Sequence, residues 1–264
     1  HIQSVPLNIS ENTFTNPSAS AAIRMRFRNS FLQSPINILG NTVTLASTAV
    51  GAHVIEFDQI AFYTFGPTIS HNTFTWVDGV AIAVIDCNYY SGADFLITGN
   101  VLTGERRIMV INEVANLCTT CSISFTSNTF TLTATSASSA THSYVCSIIL
   151  ANGGSADGNI FFNDNAGVIT GDSVNDFPVT FLLVSCSGSI TLSATWEAQD
   201  NVVTINHWFS TLSSAALSLG TDIAFVGTTV SIHNNQFTFN MGGNVQWIGA
   251  LRVIKFTIDA AHTA

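Results

Sequence analysis

The sequence predicts an all-β protein, folded over residues 1–264 as a single right-handed parallel β-helix of about eight or nine coils. Three observations lead to this prediction. The composition favours strands and turns, a short asparagine-centred phrase recurs along the chain, and apolar runs separate its copies. A period of about 30 residues is typical of solenoids, in which each repeat forms one coil and stacks on its neighbours.

The composition is poor in charge and rich in β-forming residues. Only 9% of the residues are charged, whereas about a quarter are charged in an ordinary globular domain. Charged helix formers are scarce, so a long amphipathic helix would have little to present to water. The formal charge of −9, with Lys255 as the only lysine, argues against a nucleic-acid partner. Apolar runs such as residues 80–85 are far shorter than the roughly 20 residues that span a bilayer, so we expect no transmembrane segment.

The recurring phrase, ISHNTFT at residues 69–75, places an asparagine between an apolar residue three positions earlier and another two positions later. The asparagines aligned in this way are Asn12, Asn41, Asn72, Asn100, Asn128, Asn206 and Asn235. Neighbouring copies lie 28 to 31 residues apart, except across one gap of 78 residues that contains a degraded copy centred on Asn165.

A parallel β-helix gives this asparagine a physical role. Stacked coils bring equivalent residues to about 4.8 Å from one another, the spacing of strands in a sheet. Asparagine tolerates the left-handed backbone of a corner, and its amide can bond to the amides above and below it. The sequence therefore predicts an internal ladder of asparagine side chains, flanked by inward Ile and Phe. We expect the loss of one member to cost about 1–3 kcal/mol.

Threonine recurs directly after the asparagine and again two positions later. Since the residue between them points inward, both threonines should point outward and form two columns of hydroxyl groups. The members are Thr13, Thr42, Thr73 and Thr129 in the first column, and Thr15, Thr44, Thr75, Thr103, Thr131 and Thr238 in the second. An ordinary exposed β surface, an array similar to those of ice-binding solenoids, and attachment sites for O-glycans are the alternatives.

The cysteines point to disulfides rather than to a metal. The chain has Cys87, Cys118, Cys121, Cys146 and Cys186. Two of them have the spacing of a zinc site in CTTC, but no second pair of ligands follows. We expect Cys87 to pair with Cys118 or Cys121 and Cys146 with Cys186, because each pair lies about one repeat apart. The sequon that begins at Asn8 predicts N-glycosylation.

No catalytic, cofactor or metal site is predicted. Glu56 and Asp58 share a strand face, with Arg106 and Arg107 about two coils later, but a solvated face with loose ion pairs explains them better. Residues 155–167 are rich in oxygen ligands without the spacing of a calcium loop. Three histidines lie one or two positions from a predicted ladder asparagine and are interpreted as corner substitutions: His71, His207 and His233.

The asparagine pattern resembles the pectin-lyase-like superfamily of right-handed parallel β-helices. The I-x-x-N-T-F-T wording is most similar to the dispersed gene family of large trypanosomatid surface proteins, over residues 7 to about 240. The resemblance implies a β-helical ectodomain exposed at a cell surface. We expect the chain to be a processed product or a piece of a longer one.

From these observations we predict a non-catalytic extracellular structural or adhesive module of a cell-surface or filamentous appendage protein. Its expected partners are glycans and copies of itself, joined end to end or within a larger chain, because the open ends of a solenoid need a cap or a neighbour. The alternatives are a carbohydrate-active enzyme of the same fold, either a polysaccharide lyase or a glycosidase, and an ice-binding protein that uses the threonine columns.

Overall fold

The computed structural model describes residues 6–16, 25–32, 34–45, 54–62, 65–76, 85–87, 90–105, 107–118, 120–134, 143–156, 158–171, 179–186, 190–192, 195–207, 214–219, 223–225, 229–241 and 251–256. The regular secondary structure of these ranges consists of β-strands, and every strand pairing among them is parallel. Within them, no helix is long and apolar enough to span a membrane.

The strands follow one another in short segments. They are β1 (Leu7–Ser10), β2 (Thr13–Asn16), β3 (Met25–Leu32), β4 (Ile36–Leu39), β5 (Thr42–Leu45), β6 (Ile55–Phe62), β7 (Pro67–Ser70), β8 (Thr73–Trp76), β9 (Ile85–Cys87), β10 (Tyr90–Gly92), β11 (Phe95–Thr98), β12 (Val101–Glu105), β13 (Arg107–Leu117), β14 (Ser122–Thr126), β15 (Thr129–Ala134), β16 (Ser143–Ala156), β17 (Asn159–Asn163), β18 (Ala166–Gly171), β19 (Val179–Cys186), β20 (Ile190–Leu192), β21 (Thr195–Gln199), β22 (Val202–His207), β23 (Ser214–Leu219), β24 (Ile223–Phe225), β25 (Thr229–His233), β26 (Gln236–Met241) and β27 (Leu251–Phe256).

Successive coils each add one strand to three parallel sheets. Sheet A has the order β1-β4-β7-β11-β14-β17-β21-β25, and sheet B has the order β2-β5-β8-β12-β15-β18-β22-β26. Sheet C begins with β3 on β6 and ends with β27; β9 and β10 are two halves of one interrupted strand, since both pair with β6 and β13. The predicted parallel β-helix is confirmed, and its described strands form eight coils.

The core is a set of columns in which equivalent side chains stack from coil to coil. The column three positions before the corner asparagine is Ile9, Ile38, Ile69, Ile97, Phe125, Phe162, Ala198 and Ile232. The column two positions after it is Phe14, Val43, Phe74, Leu102, Phe130, Gly167, Val203 and Phe237. Between the first and last described coils, the members of both columns are almost completely buried apart from the half-buried Gly167, so the apolar flanks of the phrase form the hydrophobic core.

At the corner between sheets A and B, the residue with the left-handed backbone conformation is not the one that the sequence predicts. We expected the asparagine itself to leave β geometry, but the residue before it does so. Positive φ angles of 54–65° occur at Glu11, Gly40, His71, Gly99, Ser127, Asp164, Asp200 and Asn234, each directly before a corner asparagine. The asparagine keeps its side chain inside the coil because its neighbour makes the turn.

Candidate interaction surfaces

The corner asparagines form one continuous hydrogen-bonded ladder. Its members are Asn12, Asn41, Asn72, Asn100, Asn128, Asn165, Asn201 and Asn235. Each backbone N–H donates to the Oδ1 atom of the asparagine in the next coil, at 2.9–3.1 Å. Each Nδ2 donates to the same Oδ1 at 2.8–3.2 Å. The ladder is therefore directional, with acceptors facing the preceding coil.

A second bond ties each asparagine to the preceding coil. The Nδ2 atom donates to the carbonyl oxygen of the inward residue three positions before the previous asparagine, at 2.6–3.0 Å. From Asn41 to Asn201 the ladder residues are 0–1% exposed, so these bonds satisfy polar groups that water does not reach.

The sequence placed one ladder member wrongly. Asn206 does not belong to the ladder, which runs from Asn128 through Asn165 and Asn201 to Asn235. Asn206 instead lies in β22, where its Oδ1 accepts a bond from Asn240 at 2.8 Å on the outer surface. The physical reason is the residue before it. A ladder asparagine needs a left-handed neighbour, which Asp200 supplies with φ 55°, whereas β-branched Ile205 disfavours that conformation.

The outer face of sheet B carries the threonine columns. In register, the first column is Thr13, Thr42, Thr73, Val101, Thr129, Ala166, Val202 and Gln236, and all are exposed. The second column is Thr15, Thr44, Thr75, Thr103, Thr131, Val168, Thr204 and Thr238, exposed or half-buried. We call these two columns the threonine face. None of its positions is charged, and the spacings are about 4.8 Å between coils and about 6.6 Å along a strand.

The outer face of sheet A holds an open groove of about 390 Å³. It is lined by Leu96, Thr98, Ser124, Thr126, Phe161, Asn163 and Glu197. Ser124 is small and lies in register between Leu96 and Phe161, which explains the depression. Asn163 fixes the Glu197 carboxylate with a bond of 2.6 Å from Nδ2 to Oε1. The groove therefore combines apolar walls with hydroxyl and carboxylate groups.

The predicted disulfides between coils are wrong. Cys118 bonds to Cys121 within one turn, three residues away, so this bridge does not link neighbouring coils. Cys87 and Cys146 carry thiols that are not in a disulfide, and both are fully buried. The cause lies in the register, because Cys146 is paired with Met109 and Leu182 rather than with Cys186. The side chain of Cys186 lies outside the described part of the structure.

The buried thiols of Cys87 and Cys146 should resist alkylation while the protein is folded. Burial raises the pKa of Cys146 well above its usual value, which lowers the fraction of reactive thiolate. We expect Cys87 and Cys146 to remain unmodified by iodoacetamide at pH 8 in native conditions and to react fully in guanidinium chloride. Peptide mapping by mass spectrometry measures this, and native modification of either residue would contradict the buried positions.

The described members of the candidate acidic and basic set lie on two different strands of sheet C. Glu56 lies inside the structure at 3% exposure, while Asp58 is half-buried in the same strand. Arg107 lies in β13, two coils beyond β6, and Arg106 lies outside the described residues. Among the described residues, no group of three or more His, Cys, Asp or Glu side chains has the arrangement of a metal site.

The oxygen-rich segment 155–167 is committed to the fold. Asn159 Oδ1 accepts from the Thr195 backbone N–H, Asp164 occupies a left-handed corner, and Asn165 belongs to the ladder. Asp157 lies outside the described residues. Asn159 and Asn165 therefore have structural roles through their side chains, and Asp164 has one through its backbone.

The remaining predicted positions lie at the surface or outside the described side chains. His71 occupies a left-handed corner and His233 ends β25, and both are exposed; the side chain of His207 is not among those described. Asn8, in the predicted sequon, is exposed in β1, and its Oδ1 accepts a bond from Asn37 Nδ2 at 2.7 Å. N-glycosylation there stays a prediction.

Comparison of the chain with protein-family models, with curated proteins and with solved structures found no match. The similarity to trypanosomatid surface proteins therefore stays a prediction from the repeated phrase.

Proposed function

We propose that this chain is a non-catalytic extracellular module of a cell-surface or filamentous appendage protein, with a structural and adhesive role. Its partners are glycans or copies of itself. The threonine face is the observation that carries this proposal, because it is a long, uncharged and exposed surface on a scaffold held by the buried ladder.

The chemistry of this face suits adhesion. Threonine offers a hydroxyl group that donates and accepts, together with a methyl group that packs against apolar atoms. Val101 and Val202 add exposed apolar area, at 46% and 50% exposure. Because parallel strands fix every position, the side chains lose little additional freedom on contact, which lowers the entropic cost of binding. The groove on sheet A, with Phe161 and Glu197, offers glycans a second surface.

A pair of lysine substitutions at the centre of the face tests the proposal. Lysine at Thr75 and Thr103 places two charges in adjacent coils and should weaken adhesion at least about tenfold, equivalent to about 1.4 kcal/mol. Asn37→Lys, on the outer face of sheet A and two coils before the groove residue Leu96, is the control and should have little effect. Binding to immobilised polysaccharides is the measurement. Unchanged adhesion in the double variant would contradict the proposal.

A second candidate is ice binding, which the regular spacing of the same face favours. Thr15, Thr44, Thr75, Thr103 and Thr131 follow one another in five consecutive coils without interruption. Such an array presents hydroxyl and methyl groups at fixed intervals to water. Ice binding predicts thermal hysteresis in the unaltered chain and its loss in the variant with lysine at Thr75 and Thr103. Absence of hysteresis in the unaltered chain would exclude this second candidate.

A further inference from the structure

The first and last described coils repeat the same three inward residue types. The first coil has Ile9, Asn12 and Phe14 at its corner, and the last coil has Ile232, Asn235 and Phe237. The intervening coils vary more, with Val43, Leu102 and Gly167 among the members of the phenylalanine column. The two ends of the solenoid therefore match each other more closely than most adjacent coils do.

The apolar members of both end coils are only partly buried. Ile9 and Phe14 at one end, and Ile232 and Phe237 at the other, pack against the core on one side. Their equivalents Ile38, Ile69 and Phe74 are fully buried because they have a coil on both sides. Each end thus leaves apolar surface of the same composition uncovered by the described residues.

The polar groups of the two ends are complementary. At the first coil, no described side chain donates to Asn12 Oδ1, and the Thr13 backbone N–H faces away from the second coil, because the equivalent N–H groups of Thr42 and Thr73 donate to the preceding coil. At the last coil, no described residue accepts from the backbone N–H of Asn235 or donates to the carbonyl oxygen of Ile232. One end therefore presents the acceptor of the ladder, and the other presents its donor.

We propose that the last coil of one molecule stacks on the first coil of another copy, so that the asparagine ladder continues across the junction. The Asn235 N–H and Nδ2 would donate to Asn12 Oδ1, and Asn12 Nδ2 would donate to the Ile232 carbonyl oxygen. The Asn235 carbonyl oxygen would accept from the Thr13 N–H, as Asn12 accepts from Thr42 at 2.8 Å within the chain. Ile232 then covers Ile9, and Phe237 covers Phe14.

This contact is heterologous, and its symmetry follows from the direction of the ladder. Acceptors face one way and donors the other, so two first coils or two last coils do not match. A heterologous contact along the axis of a solenoid does not close into a ring and gives a linear assembly. The inference deepens the proposed structural role, since it names the partner and the surface, but it uses the ends and not the threonine face.

Two substitutions block one end each. Thr13→Pro removes the N–H that would bond across the junction and keeps the contact with the second coil, because the equivalent N–H groups of Thr42 and Thr73 donate to the preceding coil. Ile232→Lys places a charge on the last coil, and its flexible stem lets the ammonium reach water while the chain is a monomer. Circular dichroism and thermal unfolding check that both variants fold. Phe14→Lys and Phe237→Lys provide a second pair if either variant fails to fold.

Sedimentation velocity and electron microscopy of the 264-residue chain over a range of concentrations test the inference. We expect the unaltered chain to form linear oligomers, whereas each single-end variant alone should remain a monomer. An equimolar mixture of the two variants should form dimers through the intact ends, and nothing larger. This result is specific to a head-to-tail contact.

The contrary outcomes are equally specific. A monomeric unaltered chain at all concentrations, oligomers of either blocked variant, or the absence of dimers in the mixture would each overturn axial stacking. Thr68→Lys, on the outer face of sheet A in the third coil, should leave linear assembly unchanged. If Thr103→Lys abolishes assembly while Thr13→Pro does not, the copies associate through the threonine face, which supports the proposed function and overturns the axial contact.

Discussion

Replacement of Asn201 by alanine should destabilise the protein by about 2–6 kcal/mol, because it leaves two buried backbone groups without partners. Asn201 is fully buried, and its Oδ1 accepts from the Asn165 N–H at 3.1 Å and from Asn165 Nδ2 at 2.9 Å. Its Nδ2 donates to the Phe162 carbonyl oxygen at 2.6 Å. Alanine removes both partners at a position that is 0% exposed.

Asn206→Ala is the matched control, five residues along the same coil. Asn206 lies on the outer surface, bonded to exposed Asn240, so its loss should change the free energy of unfolding by less than about 0.5 kcal/mol. Guanidinium chloride unfolding followed by circular dichroism measures both variants. Amide hydrogen exchange at Asn165 measures the local effect, since its N–H loses its acceptor. Equal losses of stability in the two variants would contradict the described ladder.

The fold could be predicted because the first four coils have almost equal lengths. From Asn12 to Asn128 the ladder residues are separated by 28 to 31 residues, so the phrase can be aligned without gaps. Each copy there has a large apolar residue on both sides of the asparagine. Side chains that stack inward from coil to coil need both the regular spacing and the apolar flanks. Both features are visible in the sequence.

The later coils could not be placed from the same pattern, because two of them have a small residue at one of its apolar positions. Their ladder asparagines follow at intervals of 37, 36 and 34 residues. Gly167 stands where the pattern expects a large side chain. The position requires glycine because a Cβ atom there would lie 2.5 Å from the Phe130 ring. Ala198 occupies the other flank beside Asn201. The pattern selects Asn206 as the ladder residue instead of Asn201 because Asn206 has two apolar flanks. Ile205, however, does not suit the left-handed conformation that the corner requires.

The predicted disulfide pairing is wrong for a related reason. Separation by about one repeat brings two cysteines together only if they occupy the same position within their coils. The coils differ in length, so counting residues does not give the register. Cys87 lies in register with Phe57 and Ile111, and neither is a cysteine. The bond between Cys118 and Cys121 forms locally and depends on no register at all.

The second large effect is expected at Gly104, which lies beneath the indole of Trp76 in the preceding coil. A Cβ atom on Gly104 would lie 2.1 Å from Trp76 Cδ2 and 2.2 Å from Cε2. The indole cannot move aside easily, because it is buried and its Nε1 donates to the Glu105 carbonyl oxygen at 2.8 Å. We expect Gly104→Ala to destabilise the protein by about 2–4 kcal/mol, from overpacking and the loss of this bond.

A double-mutant cycle separates this contact from a general effect of glycine substitution. Trp76→Leu alone creates a cavity and should cost about 3 kcal/mol. Combined with it, Gly104→Ala should cost far less than it does alone, since the added methyl group then occupies space that the indole has left. The expected coupling is about 1–3 kcal/mol in favour of the double variant. Additive effects in guanidinium chloride unfolding would mean that the two residues do not share this space, and that coils three and four are packed differently.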